Sequence, residues 1–308
     1  MRLITRADFD GLVCAVLLAE MGVIDEYKFV HPKDVQDGKI EATDNDVMTN
    51  IPYMPGCGLW FDHHVSEIER RKPAKNYNYK GLSKEAPSCA RVVYDYYGGA
   101  EVFSKFDKIG LMQAVDKSDS AQFNIDEVLN PKGWILLSFV LDSRTGLGRC
   151  SDFRISNFQL MEDMIKYCRT MTADEILEIP DVKERITKYH EQEDDYEKMI
   201  RANSTVDENV LFIDLRDVDR ILPGNRFKEY VLFPDQNISM RILWGYKRQN
   251  LVITCGHSII NRTSNTHVAR LMMKYGGGGH RAVGTCQIPV EGWEEVRDAI
   301  LRRMKADG

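Results

Sequence analysis

Residues 1–22 read MRLITRADFDGLVCAVLLAEMG. Arg2 to Thr5 form a short apolar-rich run. Asp8-Phe9-Asp10-Gly11 follows as an acidic turn, and Leu12 to Met21 is an apolar stretch that ends at Gly22. The order predicts a strand, an acidic turn, a buried helix and a glycine stop. Two further runs, Val47-Met48-Thr49 and Leu59-Trp60-Phe61, read as short buried strands. The first ends at Asn50 and the second at Asp62-His63-His64. Short strands alternating with helical stretches predict an α/β fold, a parallel sheet with helices on both faces. In such sheets the ligand crevice lies beyond the carboxyl ends of the strands, so these polar clusters can converge there.

The chain has 308 residues, which suggests two domains at roughly 150 residues each. Hydrophobic residues make up 43% and charged residues 29%, an ordinary globular balance that excludes a mainly disordered chain. There are 41 basic and 47 acidic residues, giving a net charge of −6. That total disfavours a duplex-DNA binder working through a broad basic face. It leaves room for a small phosphorylated ligand in a locally positive pocket. The longest apolar runs, such as Ile135 to Leu141, fall far short of the roughly 20 residues of a membrane span. No signal-peptide pattern opens the chain. Seven scattered cysteines without a CxxC pair point to reduced thiols and a cytoplasmic location.

Ser88 to Tyr97 and Val102 to Val115 read as helices. Val182 to Arg201 reads as a charged connector with a thin apolar stripe of Ile186, Tyr189, Tyr196 and Ile200. The expected division is residues 1–180 as the first domain, 181–206 as a linker helix and 207–308 as a second, smaller domain. Strand-like runs from Asn209 onward predict a mixed sheet there, with some antiparallel pairing.

Asp8 and Asp10 are two apart, so in extended chain both carboxylates share a face and can meet one ion. Oxygen donors suit Mg²⁺ or Mn²⁺, and an added imidazole tilts the choice to Mn²⁺. Alone, this pair also fits a solvated helix cap. His63 and His64 would point to opposite sides of a strand, one toward metal and one toward substrate. Asp62 can orient an imidazole. Asp116-Lys117-Ser118-Asp119 can add a carboxylate, or can be a plain helix end. Asp44 and Asp46 precede a strand, so they are expected to be mostly solvated. Near the C-terminus, Asn265 to Tyr275 has one apolar helical face. Gly276, Gly277, Gly278 and Gly279 then lead into His280-Arg281. Four glycines exceed the need of a helix stop and let backbone N–H groups crowd an anion. Arg262 is a candidate fork for phosphate or carboxylate.

The ordered set Asp8-Phe9-Asp10-Gly11, Asp62-His63-His64 and Gly276 to His280 resembles the DHH phosphoesterase superfamily with its DHH-associated C-terminal domain. The likeness spans nearly the whole chain, and its compact two-domain members, called exopolyphosphatase-related or nanoRNase-like, are the nearest in general form. The resemblance implies a cytoplasmic, metal-dependent phosphohydrolase or phosphodiesterase with its site in the interdomain cleft. Its substrate would be a short oligonucleotide, a nucleoside phosphate or a short polyphosphate; the net charge disfavours long duplexes and leaves single-stranded ends possible, and the short apolar runs argue against a membrane partner. Asp8, Asp10 and His63 would hold Mn²⁺, with Mg²⁺ as the alternative. Either Asp116 or Asp119 would add the fourth-motif ligand. Asp62 would orient a histidine, and His64 would contact the phosphoryl group and assist as acid. Gly276 to Gly279, His280, Arg281 and Arg262 would grip substrate.

Two positions depart from the family pattern. Arg6 stands where many members have a histidine, and Asn50 stands where many have a metal-bridging aspartate. Arginine cannot ligate a metal. Three outcomes stay open: one ion with Arg6 standing in for the second, weakened binding of two ions, or a degenerate site that binds phosphates without turnover.

Overall fold

The structure, a computed structural model, describes residues 1–71, 79–150 and 152–308. The N-terminal elements are, in chain order, β1 (Arg2–Arg6), α1 (Phe9–Glu20), β2 (Glu26–Val30), α2 (Pro32–Gln36), β3 (Asp46–Thr49), β4 (Leu59–Asp62), α3 (Val65–Arg71) and β5 (Gly81–Ser83). The helices α4 (Cys89–Tyr96), α5 (Ala100–Lys108), α6 (Leu111–Asp119), α7 (Ile125–Leu129), α8 (Gly133–Leu141), α9 (Asn157–Thr170), α10 (Ala173–Leu177) and α11 (Pro180–Glu191) follow.

The five strands pair in parallel in the order β2-β1-β3-β4-β5. Side-chain alternation builds a core on each face. Leu3, Val47 and Phe61 join the cluster around α1, while Ile4, Met48 and Trp60 pack with Val30, Val35 and Ile51 on the other side. After β2 the chain crosses back over β1 to place β3 on its other flank. The carboxyl ends of β1 and β3 therefore flank the point where strand order reverses, the usual place for a ligand in open α/β sheets.

α1 is buried all round, from Phe9 to Leu18, as expected of a helix with no polar face. It begins before the predicted Leu12. Asp8 is extended (φ −143°, ψ −179°) and its carboxylate accepts from the Gly11 N–H as an N-cap. Asp10 thus lies in the first helical turn. The two carboxylates do not share the face of an extended chain, as the spacing had suggested. The predicted 102–115 helix is two helices, α5 and α6, because Gly110 turns left-handed (φ 78°) between them. Asp46 departs from expectation too. It is buried, gripped by Arg2 at 2.7 and 2.9 Å and by the Thr43 N–H and hydroxyl, whereas Asp44 is exposed.

The C-terminal elements are α12 (Glu193–Ala202), β6 (Ser204–Asp207), β7 (Val210–Asp214), α13 (Lys228–Leu232), β8 (Ile238–Trp244), β9 (Leu251–His257), α14 (Val268–Met273), β10 (Gly278–Gly279), β11 (Val283–Ile288) and α15 (Trp293–Asp307). Their sheet runs β10-β11-β9-β8-β7-β6. It is antiparallel except for the parallel β7–β8 pair, hence the mixed sheet that was predicted. Ile238, Met240, Ile253 and Cys255 on its strands pack with Val268 and Met272 of α14 and with Ile300 and Met304 of α15.

Two compact units result. The first comprises residues 1–123 and 130–191, the second 124–129 and 192–308. The connector stretch is two helices that meet at Gln192, with α11 in the first unit and α12 in the second. The short α7 packs within the second unit, where Asn225 Nδ2 donates to the Val128 carbonyl at 3.2 Å. No described helix is long and apolar enough to cross a membrane. All seven cysteines are thiols.

Candidate active site

At the carboxyl edge of the first sheet, β1 leads into Arg6 and Asp8, β2 into His31, β3 into Asn50, and β4 into Asp62, His63 and His64. Gly11 sets the approach of α1 to β1. A Cβ at that position would lie 2.0 Å from the Arg6 carbonyl oxygen and 2.8 Å from Thr5 Oγ1. Only glycine lets the first turn of α1 come this close, which brings Asp8 and Asp10 to the strand ends.

The two aspartates have different partners. Asp8 Oδ1 accepts from the Gly11 N–H and from Asn50 Nδ2, each at 3.0 Å, and Oδ2 meets Arg6 Nε at 3.0 Å. Asn50 is buried and left-handed (φ 57°), a conformation asparagine tolerates better than most residues. Asp10 is buried against the start of α4, where its oxygens accept from the Cys89 and Ala90 N–H groups at 2.9 and 2.8 Å. A helix N-terminus favours such a carboxylate.

His63 lies beside Asp10. Its Nδ1 is 3.1 Å from the Ala86 carbonyl, which can only accept, so Nδ1 carries a proton. Nε2 then faces Asp119 at 3.2 Å and Asp10 at 3.6 Å. The ligand atoms of Asp10, His63 and Asp119 all lie within 4.8 Å of one another. Burial pushes the Asp10 carboxyl well above the usual carboxylate range, and the Asp119 charge adds to this. Burial pulls the His63 imidazole down, but Asp119, Asp10 and Asp62 outweigh it and leave its pKa raised. Two carboxylates turned on an imidazole nitrogen call for a positive charge, either a proton on Nε2 or a cation. Two carboxylate oxygens plus an imidazole form a donor set that fits a divalent ion such as Mn²⁺ or Mg²⁺.

The structure separates the two candidate aspartates of α6. Asp116 accepts from Ser88 Oγ at 2.7 Å and from Arg91 Nε and Nη2 at 2.9 and 2.6 Å, so it anchors α4 to α6. Asp119, one turn on, is the carboxylate that reaches His63. The two histidines differ from expectation. β4 ends at Asp62, and the rings of His63 and His64 lie side by side, their centroids 4.8 Å apart, rather than on opposite sides of a strand. Asp62 orients His64. Its carboxylate is 2.8 Å from His64 Nδ1 and accepts from the His64 N–H at 3.0 Å.

Sequence reasoning missed Arg144 and His31. Arg144 lies on the short turn after α8 and gives Nε to both oxygens of Asp142, at 2.8 and 2.9 Å. Neither of its Nη groups has a partner among the described residues. Burial opposes its charge, but Asp142, Asp8 and Asp119 outweigh this and hold the guanidinium firmly protonated. Such turns have no periodicity that would mark an arginine. His31 caps α2 by accepting from the Lys33 N–H at 3.1 Å. Burial and the Arg6 charge lower its pKa. The β2 strand was not recognised in the sequence, so its end was not searched.

In the second unit the glycines have local reasons of their own. Gly276 is left-handed (φ 72°) and stops α14. A Cβ on Gly277 would lie 2.2 Å from the Thr285 carbonyl oxygen, and one on Gly279 (φ 142°) would lie 2.3 Å from that of Val283. Close pairing with β11 explains Gly277 and Gly279, and Gly278 pairs with Thr285 in the same ladder. His280 donates its N–H to the Val283 carbonyl at 2.8 Å and is half-buried, and Arg281 is exposed. Arg262 is exposed in the turn after β9. α14 begins at Val268 rather than at the predicted Asn265, because His267 caps it by accepting from the Arg270 N–H.

The chain is similar to a solved structure of PggH, a pGpG-specific phosphodiesterase from Vibrio cholerae. Identity is 47%, the match covers 100% of this chain and 99% of that one, and the TM-score is 0.76. It is also similar to an exopolyphosphatase-related protein from Bacteroides fragilis, at 12% identity over 99% of this chain and 92% of that one, with a TM-score of 0.46. A third similar structure is RecJ in complex with Mn²⁺ from Thermus thermophilus, at 13% identity over 99% of this chain and 51% of that one, with a TM-score of 0.48. No family model and no curated protein matches the chain.

Proposed function

This chain belongs to the DHH phosphoesterase superfamily, and from that premise we propose that it is a metal-dependent phosphodiesterase that hydrolyses short linear nucleotides of the pGpG kind. The observation that carries the reading is the convergence of Asp10, His63 and Asp119, three residues far apart in sequence whose ligand atoms lie within 4.8 Å. The full-length 47% identity to a pGpG-specific phosphodiesterase supports the substrate class. In the reaction, water adds to phosphorus and the bond to the 3′ oxygen breaks, so pGpG and water give two molecules of GMP.

Asp10, His63 and Asp119 would hold the ion, which when bound supplies Lewis-acid charge against the phosphoryl oxygens. The chain's own groups supply the rest. Asp62 fixes the His64 ring through Nδ1, leaving Nε2 as the group that passes a proton to the departing 3′ oxygen. Arg144, anchored by Asp142, offers its unpartnered Nη pair to a phosphate. Asp116 stays with Arg91 and has no part in the chemistry. Gly276 to Gly279, His280, Arg281 and Arg262 are kept as proposed contacts to the substrate.

The test is an assay of the purified chain with Mn²⁺ or Mg²⁺ on pGpG, pAp, other dinucleotides and polyphosphate, with products separated by chromatography. GMP from pGpG at the highest kcat/KM is the expected result, and no release from any member of the panel would overturn the reading. A second reading, a phosphate-ligand-binding protein without turnover, draws on the pairing of Asp8 with Arg6 and its hydrogen bonds from Asn50 and Gly11. It predicts saturable pGpG binding with no product.

A further inference from the structure

The acidic edge of the first sheet carries its carboxylates in two states. Asp10 and Asp119 face one imidazole nitrogen, and among the described residues no lysine or arginine pairs with them, whereas Asp8 is ion-paired with Arg6. One oxygen of Asp8 accepts from the Gly11 N–H and the Asn50 amide, and the other, without a hydrogen bond of its own, lies 3.0 Å from Arg6 Nε in an ion pair. A divalent ion at Asp8 would have to displace a guanidinium and would find an amide carbonyl at best from Asn50, with no charge. The donor set there does not fit a second ion.

Arg6 itself is only partly spent. Nε is committed to Asp8, and neither Nη has a partner among the described residues, while the side chain keeps 27% of its exposure. Resting on the phosphodiesterase reading above, we propose that this centre takes one divalent ion, at Asp10, His63 and Asp119, and that the Arg6 guanidinium is its built-in second cation, hydrogen-bonding the phosphoryl oxygens through its Nη pair. Asn50 completes the arrangement. Its amide donates to Asp8 at 3.0 Å where a carboxylate in its place would repel it.

The experiment is a metal count on the full chain loaded with Mn²⁺ and desalted, read by elemental analysis and by electron paramagnetic resonance. One ion per chain with the hyperfine pattern of an isolated Mn²⁺ is expected. Two ions with an exchange-coupled spectrum, or none bound by a chain whose circular dichroism shows it folded, would overturn the proposal. The double variant Arg6→His, Asn50→Asp is expected to take up a second, coupled ion, and an unchanged single-ion spectrum in that folded variant counts against the assignment. Arg6→Gln should keep its one ion while losing at least about 10²-fold in kcat on pGpG, with Arg6→Lys recovering part of it. Full turnover in Arg6→Gln would remove the role of the guanidinium. The ion count does not depend on turnover. A wild-type chain with one ion that cleaves nothing would therefore defeat the phosphodiesterase reading alone, and one that cleaves pGpG with two ions would defeat the one-ion proposal alone.

Discussion

Asp8 and Asp10 are separated by a single phenylalanine, yet they belong to two different electrostatic regimes. Asp8 is ion-paired with Arg6 and accepts from the Asn50 amide, so a protein cation already stands beside it. Asp10 sits with Asp119 around His63, an arrangement with surplus negative charge that a proton or a cation must balance. The difference comes from the elements that arrive beside each. β1 and β3 bring a guanidinium and an amide to Asp8, whereas α4 and α6 bring N–H dipoles and another carboxylate to Asp10. A DxD motif thus says where two carboxylates are, and the approaching elements decide which of them can bind an ion.

The sharpest way to break this contrast is Asp119→Ala. It should abolish ion uptake by calorimetry and lower kcat/KM at least about 10³-fold, or about 4 kcal/mol of transition-state stabilisation. An Asp119→Ala protein that binds Mn²⁺ like the wild type would show that the surplus charge is not where the ion goes. Gly11→Ala strikes both regimes at once, because the new Cβ meets the Arg6 carbonyl. A loss of about 3 kcal/mol or more in urea unfolding is expected, and a loss below about 1 kcal/mol would mean the α1–β1 approach is slack. Asp116→Ala should leave the ion in place and cost about 1–2 kcal/mol, since Arg91 is partly solvated and the pair is discounted accordingly. Loss of the ion in that variant would return Asp116 to the ligand set.

The smallest effect is in pH. Asp10 and His63 both have raised pKa values in the folded chain. Each therefore holds its proton in the folded state at a pH where the unfolded chain has released it. Without an ion, their contribution to stability is lost as pH rises, from above the ordinary carboxylate range for Asp10 and from about 6.5 upward for His63. An ion needs Asp10 ionised and His63 Nε2 bare, so it displaces those protons. The stabilisation gained on adding Mn²⁺, read as a rise in Tm, should be larger at pH 8 than at pH 6, by about 1 kcal/mol per pH unit for each proton displaced. A rise that shrinks as pH increases would contradict the proton inventory at this site.

Much of the first sheet was legible. β1, β3 and β4 were each announced by a short apolar run ending in a polar residue, and parallel pairing then gathers those ends on one edge. That logic found Asp8, Asn50, Asp62, His63 and His64, whereas Arg6 entered only as a departure from the family pattern. It stopped at α6, because Asp116 and Asp119 are one helical turn apart and the discriminating partner, Arg91, comes from α4. It failed for Arg144, whose turn has no repeating pattern. It misjudged Asp46, whose burial depends on Arg2 across the β1–β3 pair. The glycine run was visible, but the spacing of glycines cannot tell an anion cradle from the tight β10–β11 ladder that Gly277 and Gly279 form.

The packing of α7 with the C-terminal unit has a practical consequence for dissecting the molecule. No single cut separates the two units, because residues 124–129 leave the first and residues 130–191 return to it. A gene fragment ending near Glu191 would carry a stranded helix whose anchor, Asn225, has been left behind. A clean separation needs that hexapeptide bridged by a short linker in one half and supplied as an added peptide to the other. Recombination by whole-cassette exchange at the Gln192 junction would, for the same reason, disturb both parents.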